Sequence, residues 1–415
     1  MDFIANNILK NPPVLLGLIA ALGLIIQKKN ISDIIKGSLS AAFGMVVLNK
    51  GVDMLVGTIA PINTAFQSTL VNGGGAAEGL NDITFTSSYG GDVGLAMFLG
   101  LILHLAIARF TPIKTIFLTG HMLWWFPFVF VAAGVEGGLN GTPLILFGAV
   151  CSALYWSVMP WILRKYVWDA TGDKSFLLGH PTGVLSLISG FVAKRVGNKE
   201  HSTEDVNVPK SLSFFREISV TGGIVITLMY IVIGLLIPTL IEEGQNLFIA
   251  AINSGLTFGA GLLVMLYGVR MLINQIIPAF QGISEKLIPN AIPAFDAPII
   301  FNYKPNAVII GFIVAMITST VMIVIANATN MFGVLLVPLV ITSFFECGAA
   351  AVIGEGQGGL RGSIIGTSVA ALVMVLIMGI SVAMFDGTIQ NWLLIFGGND
   401  FSIFGPIAKL IANLF

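Results

Sequence analysis

Long apolar stretches, separated by short polar segments, occupy most of the chain. A helix that crosses a bilayer needs about 20 mainly apolar residues, and stretches near this length occur at eleven places. They lie at 12–27, 37–60, 92–109, 113–133, 142–163, 220–240, 246–270, 305–326, 331–351, 362–385 and 401–415. The pattern therefore predicts an all-α polytopic membrane protein with about eleven transmembrane helices.

The composition supports a membrane protein and excludes several other classes. Of the 415 residues, 56% are hydrophobic and only 10% are charged, against roughly 25% charged residues in a typical soluble domain. No basic stripe with interleaved aromatic residues occurs, so we expect no nucleic-acid partner. Cys151 and Cys347 lie in apolar runs without metal-ligand spacing. We also find no nucleotide or zinc motif, and therefore expect no cofactor, no metal and no catalytic residue in this chain.

Positive charges are distributed unevenly between the predicted loops. Lys and Arg in short loops favour the cytoplasmic side of a membrane. They follow the first, third and fifth spans and recur in the polar stretch 194–216, all on one side of the predicted topology. This distribution places the amino terminus outside and the carboxyl terminus in the cytoplasm.

Two segments of the sequence recur at nearly the same spacing. Eight positions between Gly44 and Pro61 recur 217 residues later, between Gly261 and Pro278. A second match, from Gly137–Thr142 to Gly358–Ser363, has a spacing of 221. Each unit would hold five spans, and an odd number inverts the second copy in the membrane. We therefore expect two inverted five-helix repeats, at 1–200 and, together with the last helix, at 220–415, joined by a cytoplasmic linker at 201–219.

Each predicted repeat contains a broken, more polar segment at the equivalent place, at 61–91 and at 278–305. Irregular backbone at membrane depth is tolerated only where protein or a water-filled cavity satisfies it. We interpret both segments as re-entrant hairpins, with surface loops as the alternative. Inverted-repeat transporters bind their substrates at such broken segments.

Few ionisable residues interrupt the apolar sequence, and an intramembrane ionisable group is by default a functional candidate. Asp296 could accept hydrogen bonds from substrate hydroxyls or carry a proton; the alternative is a helix cap. His121 could donate to and accept from a polyol, or be a structural histidine. His180 follows the fifth span, where a loop histidine is the alternative. We expect packing for His104 and a solvated position for His201.

Several motifs resemble one transport family. The segments 114–121, 280–296, 305–312, 11–18 and 35–37 are similar to the ascorbate-type enzyme IIC of the bacterial phosphoenolpyruvate-dependent phosphotransferase system. The resemblance covers nearly the whole chain. It implies a permease of the bacterial cytoplasmic membrane, surrounded by membrane lipid, that takes up a sugar or sugar acid.

The resemblance also implies which residues hold the substrate. These are a glycine of the second span, polar residues at the tip of the first hairpin, two histidines and the hairpin aspartate: Gly51, Thr86, Ser88, Tyr89, His121, His180 and Asp296. Ascorbate-specific members carry glutamines where this chain has Trp125 and Pro181, which we include in the site. Because two amide donors are lost, another sugar, sugar acid or alditol is as well supported as ascorbate.

Further expectations concern assembly and mechanism. The resemblance implies a homodimer in which each protomer combines a core domain and a V-shaped scaffold domain, interleaved in sequence. The core would slide like an elevator, and phosphorylated enzyme IIB, a separate chain, would phosphorylate the sugar. Catalysis would then belong to enzyme IIB. The alternative function is a proton- or sodium-coupled secondary transporter that uses Asp296.

Overall fold

The computed structural model describes residues 11–71, 82–205, 218–241, 244–286, 288–334, 336 and 339–415. Helices account for most of these ranges. They are α1 (Pro12–Ile26), α2 (Ile31–Val71), α3 (Asp82–Phe110), α4 (Met122–Glu136), α5 (Gly141–Thr171), α6 (Gly183–Val196), α7 (Ile218–Leu236), α8 (Leu247–Lys286), α9 (Pro298–Phe301), α10 (Pro305–Ala328), α11 (Val340–Met384), α12 (Gln390–Phe396) and α13 (Phe401–Ala412). A short 3₁₀ turn, Pro238–Leu240, follows α7.

Within the described ranges, six helical stretches are long and apolar enough to cross a membrane. They are Ile31–Ile62, Ser88–Phe110, Gly141–Thr171, Leu247–Gly268, Pro305–Ala328 and Val340–Met384. Shorter apolar helices accompany them at Leu16–Ile26, Met122–Glu136, Gly222–Leu236 and Phe401–Ala412. This architecture agrees with the predicted helical class of a polytopic membrane protein.

The helices pack in two groups. In the first, α2 packs along α8, and α1 and α7 cover this pair. In the second, α11 packs against α6 and α10, while α3, α4, α5 and α13 pack around one another. The first group comes from 12–71 and 218–286 and the second from 82–205 and 288–415, so the two groups alternate along the chain.

Helices α2 and α8 approach each other closely at two glycines. A Cβ atom at Gly51 would lie 2.3 Å from the Met265 backbone nitrogen, and one at Gly268 would lie 2.2 Å from that of Leu48. The two helices therefore run antiparallel at the contact. Gly51 and Gly268 are 217 residues apart, as are Leu48 and Met265. The two contacts are therefore made by equivalent positions of the repeated segment.

A small sheet that the sequence did not predict lies among the helices of the second group. Its strands are β1 (Thr115–Phe117), β2 (Leu177–Leu178) and β3 (Ile292–Phe295), all parallel and in the order β1-β3-β2. The residues of β1 and β2 are buried. The fold is thus helical around a short buried sheet.

One predicted span differs from the structure. The stretch 113–133 is not one helix, because β1 occupies its beginning and α4 starts only at Met122. The predicted stretches 331–351 and 362–385 agree with the structure as two helices. Helix α11 consists of two arms that meet at Gly358 and Gly359, where the backbone leaves helical geometry. Cys347 Sγ in the first arm lies 3.7 Å from Met374 Sδ in the second, so the two arms lie side by side.

The two predicted hairpins have different outcomes. Residues 61–71 continue α2 and residues 82–91 begin α3, while the tip at 72–81 lies outside the described residues. In the second segment α8 continues to Lys286, past Pro278, and β3 and the short α9 follow. The segment 278–305 therefore contains the end of α8, a buried strand and a short helix. Of the predicted linker, residues 206–217 lie outside the described part.

Candidate functional site

The three candidate residues of the site follow the ends of the three strands. His121 comes four residues after β1, His180 two residues after β2 and Asp296 directly after β3. Because the strands are parallel and adjacent, their carboxyl ends lie at the same edge of the sheet. The sheet therefore brings together residues that are far apart in sequence.

Hydrogen bonds extend the strands up to the site. The Leu118 backbone N–H donates to the Ala294 carbonyl at 2.9 Å, and that of Gly179 donates to the Phe295 carbonyl at 2.6 Å. The Thr119 hydroxyl also donates to the Gly179 carbonyl. These bonds fix the backbone immediately before both histidines.

Asp296 lies between the two histidines. Its Oδ1 is 3.5 Å from His180 Nε2, and its Oδ2 is 3.8 Å from His121 Nε2. Both distances exceed the usual range of about 2.7–3.2 Å for a hydrogen bond. Oδ1 accepts one from the Ala297 backbone N–H at 2.8 Å. The carboxylate is thus oriented by the backbone, while its contacts with both imidazoles leave hydrogen-bonding capacity for a ligand.

A cavity of about 340 Å³ opens beside this trio. Its wall combines polar groups with apolar and aromatic side chains: Asp53, His121, Met122, Trp125, His180, Asp296, Ile341, Phe345, Glu346, Trp392, Phe396, Asn399 and Phe401. Asp53 belongs to α2, in the first helix group, and the others belong to the second. The cavity therefore lies between the two groups.

Aromatic rings form one wall of the cavity. The ring centres of Trp125 and Trp392 are 5.1 Å apart, and Trp392 lies 5.4 Å from both Phe396 and Phe401. Such a wall offers flat apolar surface, and the polar groups offer hydrogen bonds. Small-molecule sites in proteins commonly combine these two features.

A buried carboxyl, Asp400, supports the segment around His180. It accepts hydrogen bonds from the Tyr155 hydroxyl at 2.5 Å and from the backbone N–H groups of Gly183 and Val184 at 3.0 and 2.9 Å. Its own N–H donates to the Pro181 carbonyl at 2.9 Å. Asp400 thereby satisfies free donors at the start of α6 and holds the chain that carries His180.

Comparison with known proteins assigns the family. Residues 7–400 match the EIIC-GAT family model, described as the PTS system sugar-specific permease component. The chain belongs to this family of permeases. It is also similar to a protein of Mycoplasma pneumoniae named the ascorbate-specific PTS system EIIC component, with 23% identity over 98% of this chain and 70% of that protein.

The family membership establishes the general function and location of the permease. It is a multi-pass protein of the bacterial cytoplasmic membrane that belongs to a sugar phosphotransferase system. The family implies a sugar substrate and an enzyme IIB partner. The membership decides between the two functional alternatives in favour of the phosphotransferase permease.

The structure brings together four of the predicted site residues of the permease. His121, Trp125, His180 and Asp296 all line the cavity. His180 and Asp296 are buried, whereas the His121 side chain is 35% exposed. Of the two histidines, His121 is therefore the more accessible from the cavity.

The other predicted residues of the permease lie elsewhere within the described part of the chain. Gly51 is enclosed by α8, and Pro181 contributes its carbonyl to the contact with Asp400. Ser88 is exposed on α3 and Tyr89 is half-buried there; neither lines the cavity. Thr86 also lies in α3, but its side chain is outside the described part.

Some lining residues were missed from the sequence although a signal was present. Asp53 and Glu346 are carboxyls within apolar spans, which alone makes them functional candidates. Trp392 and Asn399 carry no comparable signal.

The sequence Phe-Leu-Xaa-Gly-His occurs twice, at 117–121 and at 176–180, and this repetition indicates that both histidines have equivalent surroundings.

Proposed function

We propose that the cavity beside Asp296 is the substrate site of the permease. The observation that carries the proposal is the position of one carboxylate between two imidazoles at the common edge of three parallel strands. Sugars present several hydroxyls, each able to donate and to accept. A carboxylate that accepts and imidazoles that do either are suitable partners for them.

The size and lining of the cavity support a ligand of this class. A volume of about 340 Å³ is at the lower end of the range of about 300–1,000 Å³ for small-molecule sites. The hydroxyls of a sugar would bind His121, His180 and Asp296, while its apolar ring face would pack on Trp125. Ascorbate-specific members have a glutamine at the position of Trp125. In this proposal the hydrogen bond of that glutamine is replaced by packing of the sugar on the Trp125 ring.

We also propose that the two helix groups are the two domains of an elevator. The group of α1, α2, α7 and α8 would be the scaffold, and the group that contains the sheet would be the moving core. The cavity lies between the groups, with Asp53 on the scaffold side, as this motion requires.

The equivalent contacts of Gly51 and Gly268 support the proposed inverted repeats, 1–200 and 220–415. A homodimer is part of the same proposal.

Transport in this proposal ends with phosphorylation of the sugar by phosphorylated enzyme IIB, so this chain supplies binding and movement and not catalysis. The named relative from Mycoplasma pneumoniae makes L-ascorbate one candidate substrate. Because Trp125 and Pro181 replace amide side chains, other sugars, sugar acids and alditols are candidates of equal rank.

Uptake measurements test the proposal. Cells that express the permease are given labelled ascorbate and labelled alditols, with and without the general phosphotransferase components. We expect a phosphorylated product inside the cells that requires these components. Accumulation of unmodified substrate that collapses with the ion gradient would contradict the proposal.

A further inference from the structure

One difference between the two repeated segments falls at a residue of the cavity wall. Residues 51–55 read Gly-Val-Asp-Met-Leu, and residues 268–272 read Gly-Val-Arg-Met-Leu. Only the central position differs, where the acidic Asp53 corresponds to the basic Arg270. Asp53 lines the cavity. Arg270 is thus the equivalent, with opposite charge, of a residue that faces the proposed substrate site.

The contacts between α2 and α8 place Asp53 and Arg270 on the same face of this helix pair. The close approaches at Gly51 and Gly268 are equivalent and join antiparallel helices, as a local two-fold axis between inverted repeats requires. An axis that exchanges two antiparallel helices is perpendicular to the plane that contains them, so equivalent side chains project from the same face of the pair. Because Asp53 lines the cavity between the helix groups, this face borders the second group.

Asp53 and Arg270 lie at different depths along this face. The contact of Gly51 with Met265 places position 263 of α8 opposite Asp53, because the helices are antiparallel. Arg270 lies seven residues further along α8, and a rise of 1.5 Å per residue separates it from Asp53 by about 10 Å along the helix axis. A core that moves by this distance along the pair would bring the site from Asp53 to Arg270.

Arg270 lies on the predicted cytoplasmic side of Asp53. Gln27 Nε2 donates a hydrogen bond to the Pro278 carbonyl at 2.6 Å, so α8 runs from Arg270 towards the loop between α1 and α2. That loop carries two lysines, and the distribution of Lys and Arg predicts that it faces the cytoplasm. Movement from Asp53 to Arg270 is therefore movement towards the side where enzyme IIB would act.

The Arg270 guanidinium is available for a ligand. Its side chain is exposed, and it forms no ion pair within the described part of the chain, whereas Asp53 pairs with Lys50 at 3.1 Å. A guanidinium binds phosphate through two parallel N–H donors. A phosphorylated sugar is the product on the cytoplasmic side in the proposed function, and its phosphate is a suitable partner for Arg270.

We propose that Arg270 faces the substrate site after the core has moved, as Asp53 does in this structure, and that its guanidinium then binds the phosphate of the phosphorylated sugar. The inference rests on the proposed function. The first helix group thus presents an acidic residue to the incoming sugar and a basic residue to the sugar phosphate.

Cysteine cross-linking tests the position of Arg270. In a permease with Cys151→Ala and Cys347→Ala, Ile341→Cys in the core wall of the cavity is combined with Asp53→Cys or with Arg270→Cys. Membranes are then treated with a short bifunctional thiol reagent. We expect both pairs to cross-link, because the core reaches both positions.

A third pair is the control for cross-linking. Lys36→Cys, combined with Ile341→Cys, should not react, since Lys36 is exposed on α2 and lies about 25 Å from Asp53 along that helix.

Calorimetry on the purified permease tests the ligand of Arg270. The probes are glucitol 6-phosphate, galactitol 1-phosphate, L-ascorbate 6-phosphate, the three unphosphorylated parents and inorganic phosphate. We expect Arg270→Gln to weaken binding of the tightest sugar phosphate at least tenfold, the effect of losing one hydrogen bond between charged groups. Binding of the parent sugar should stay within twofold of the wild type, because Arg270 does not line the cavity in this structure.

Two further variants and inorganic phosphate define the specificity. Arg270→Lys keeps the charge and should recover part of the affinity for the sugar phosphate. Arg361→Gln removes an exposed arginine outside the cavity and should behave as the wild type. Inorganic phosphate should bind more weakly than the sugar phosphate, since it lacks the hydroxyls that would contact Asp296.

Three results would each overturn the inference: a sugar phosphate bound equally by the wild type and Arg270→Gln, a wild type that binds none of the sugar phosphates, or an Arg270→Cys pair that does not cross-link while the Asp53→Cys pair does. In each case, phosphorylated uptake by the wild type would leave the proposed function standing. If no phosphorylated product forms in cells, the proposed function fails as well.

Discussion

Replacing Asp296 by asparagine is expected to weaken substrate binding by about 10- to 100-fold. Hydrogen bonds to a charged group contribute about 1.5–3 kcal/mol, and each 1.4 kcal/mol is a factor of ten in affinity. The asparagine side chain has one accepting oxygen and one donating NH₂ group. The NH₂ group would face either the Ala297 N–H or one of the imidazoles of His121 and His180, where the carboxylate presents an accepting oxygen. Calorimetric titration with the transported sugar measures the loss.

Asp205→Asn is the matched control for this substitution. Asp205 is an exposed carboxyl in the loop after α6 and does not line the cavity, so its variant should bind and transport as the wild type does. Asp296→Asn with unchanged transport but without pH dependence would contradict the account, because it would make Asp296 a proton carrier and not a ligand for the sugar.

Replacing Gly359 by alanine is expected to destabilise the fold by about 3–5 kcal/mol, through backbone strain and overpacking. Gly359 has φ +59° and ψ −156° at the bend of α11, a conformation that is adopted almost only by glycine. A Cβ atom there would also lie 2.2 Å from the Asn198 carbonyl oxygen and 2.3 Å from that of His201. Both carbonyls belong to the loop that follows α6, so this loop or α11 must move.

The midpoint of thermal unfolding in detergent measures this effect. Gly172→Ala is the control, since Gly172 also has a positive φ, +71°, but nothing lies within 4 Å of its added Cβ. We expect Gly172→Ala to lower the midpoint slightly and Gly359→Ala to lower it much further. Equal midpoints for the two variants would show that the contacts with the loop contribute nothing.

The helices were the most predictable part of the fold. An apolar run of sufficient length predicts a span whatever its neighbours are, and α5 and α10 lie close to the predicted 142–163 and 305–326. The two arms of α11 were predicted as separate spans, but the tight turn between them was not, because a glycine-rich segment such as that around Gly358 and Gly359 is also compatible with a longer loop. Hydrogen bonds with the loop after α6 hold this turn.

The sheet could not be predicted from the hydrophobic pattern. Its strands have three, two and four residues, too few for an alternating pattern to be recognised. They are also largely buried, so no polar face distinguishes them from the neighbouring helices. In the 113–133 stretch, Thr115, Ile116 and Phe117 simply extended an apolar run.

The candidate site was predicted in part. His121, His180 and Asp296 stood out because polar residues are rare in apolar sequence, and the structure places them around one cavity. Glu346 had the same signal but was missed, since it lies inside a stretch interpreted as an ordinary span. The contact between Asn399 and Glu346 joins residues 53 positions apart and required the fold.

The most direct test of the account is an electron cryo-microscopy structure of the permease with the sugar identified by the uptake measurements. We predict ligand density in the cavity between the helix groups, with sugar hydroxyls within hydrogen-bond distance of Asp296 and His121 and the sugar packed on Trp125. Density for the sugar at another place, with this cavity empty at saturating concentration, would contradict the central claim.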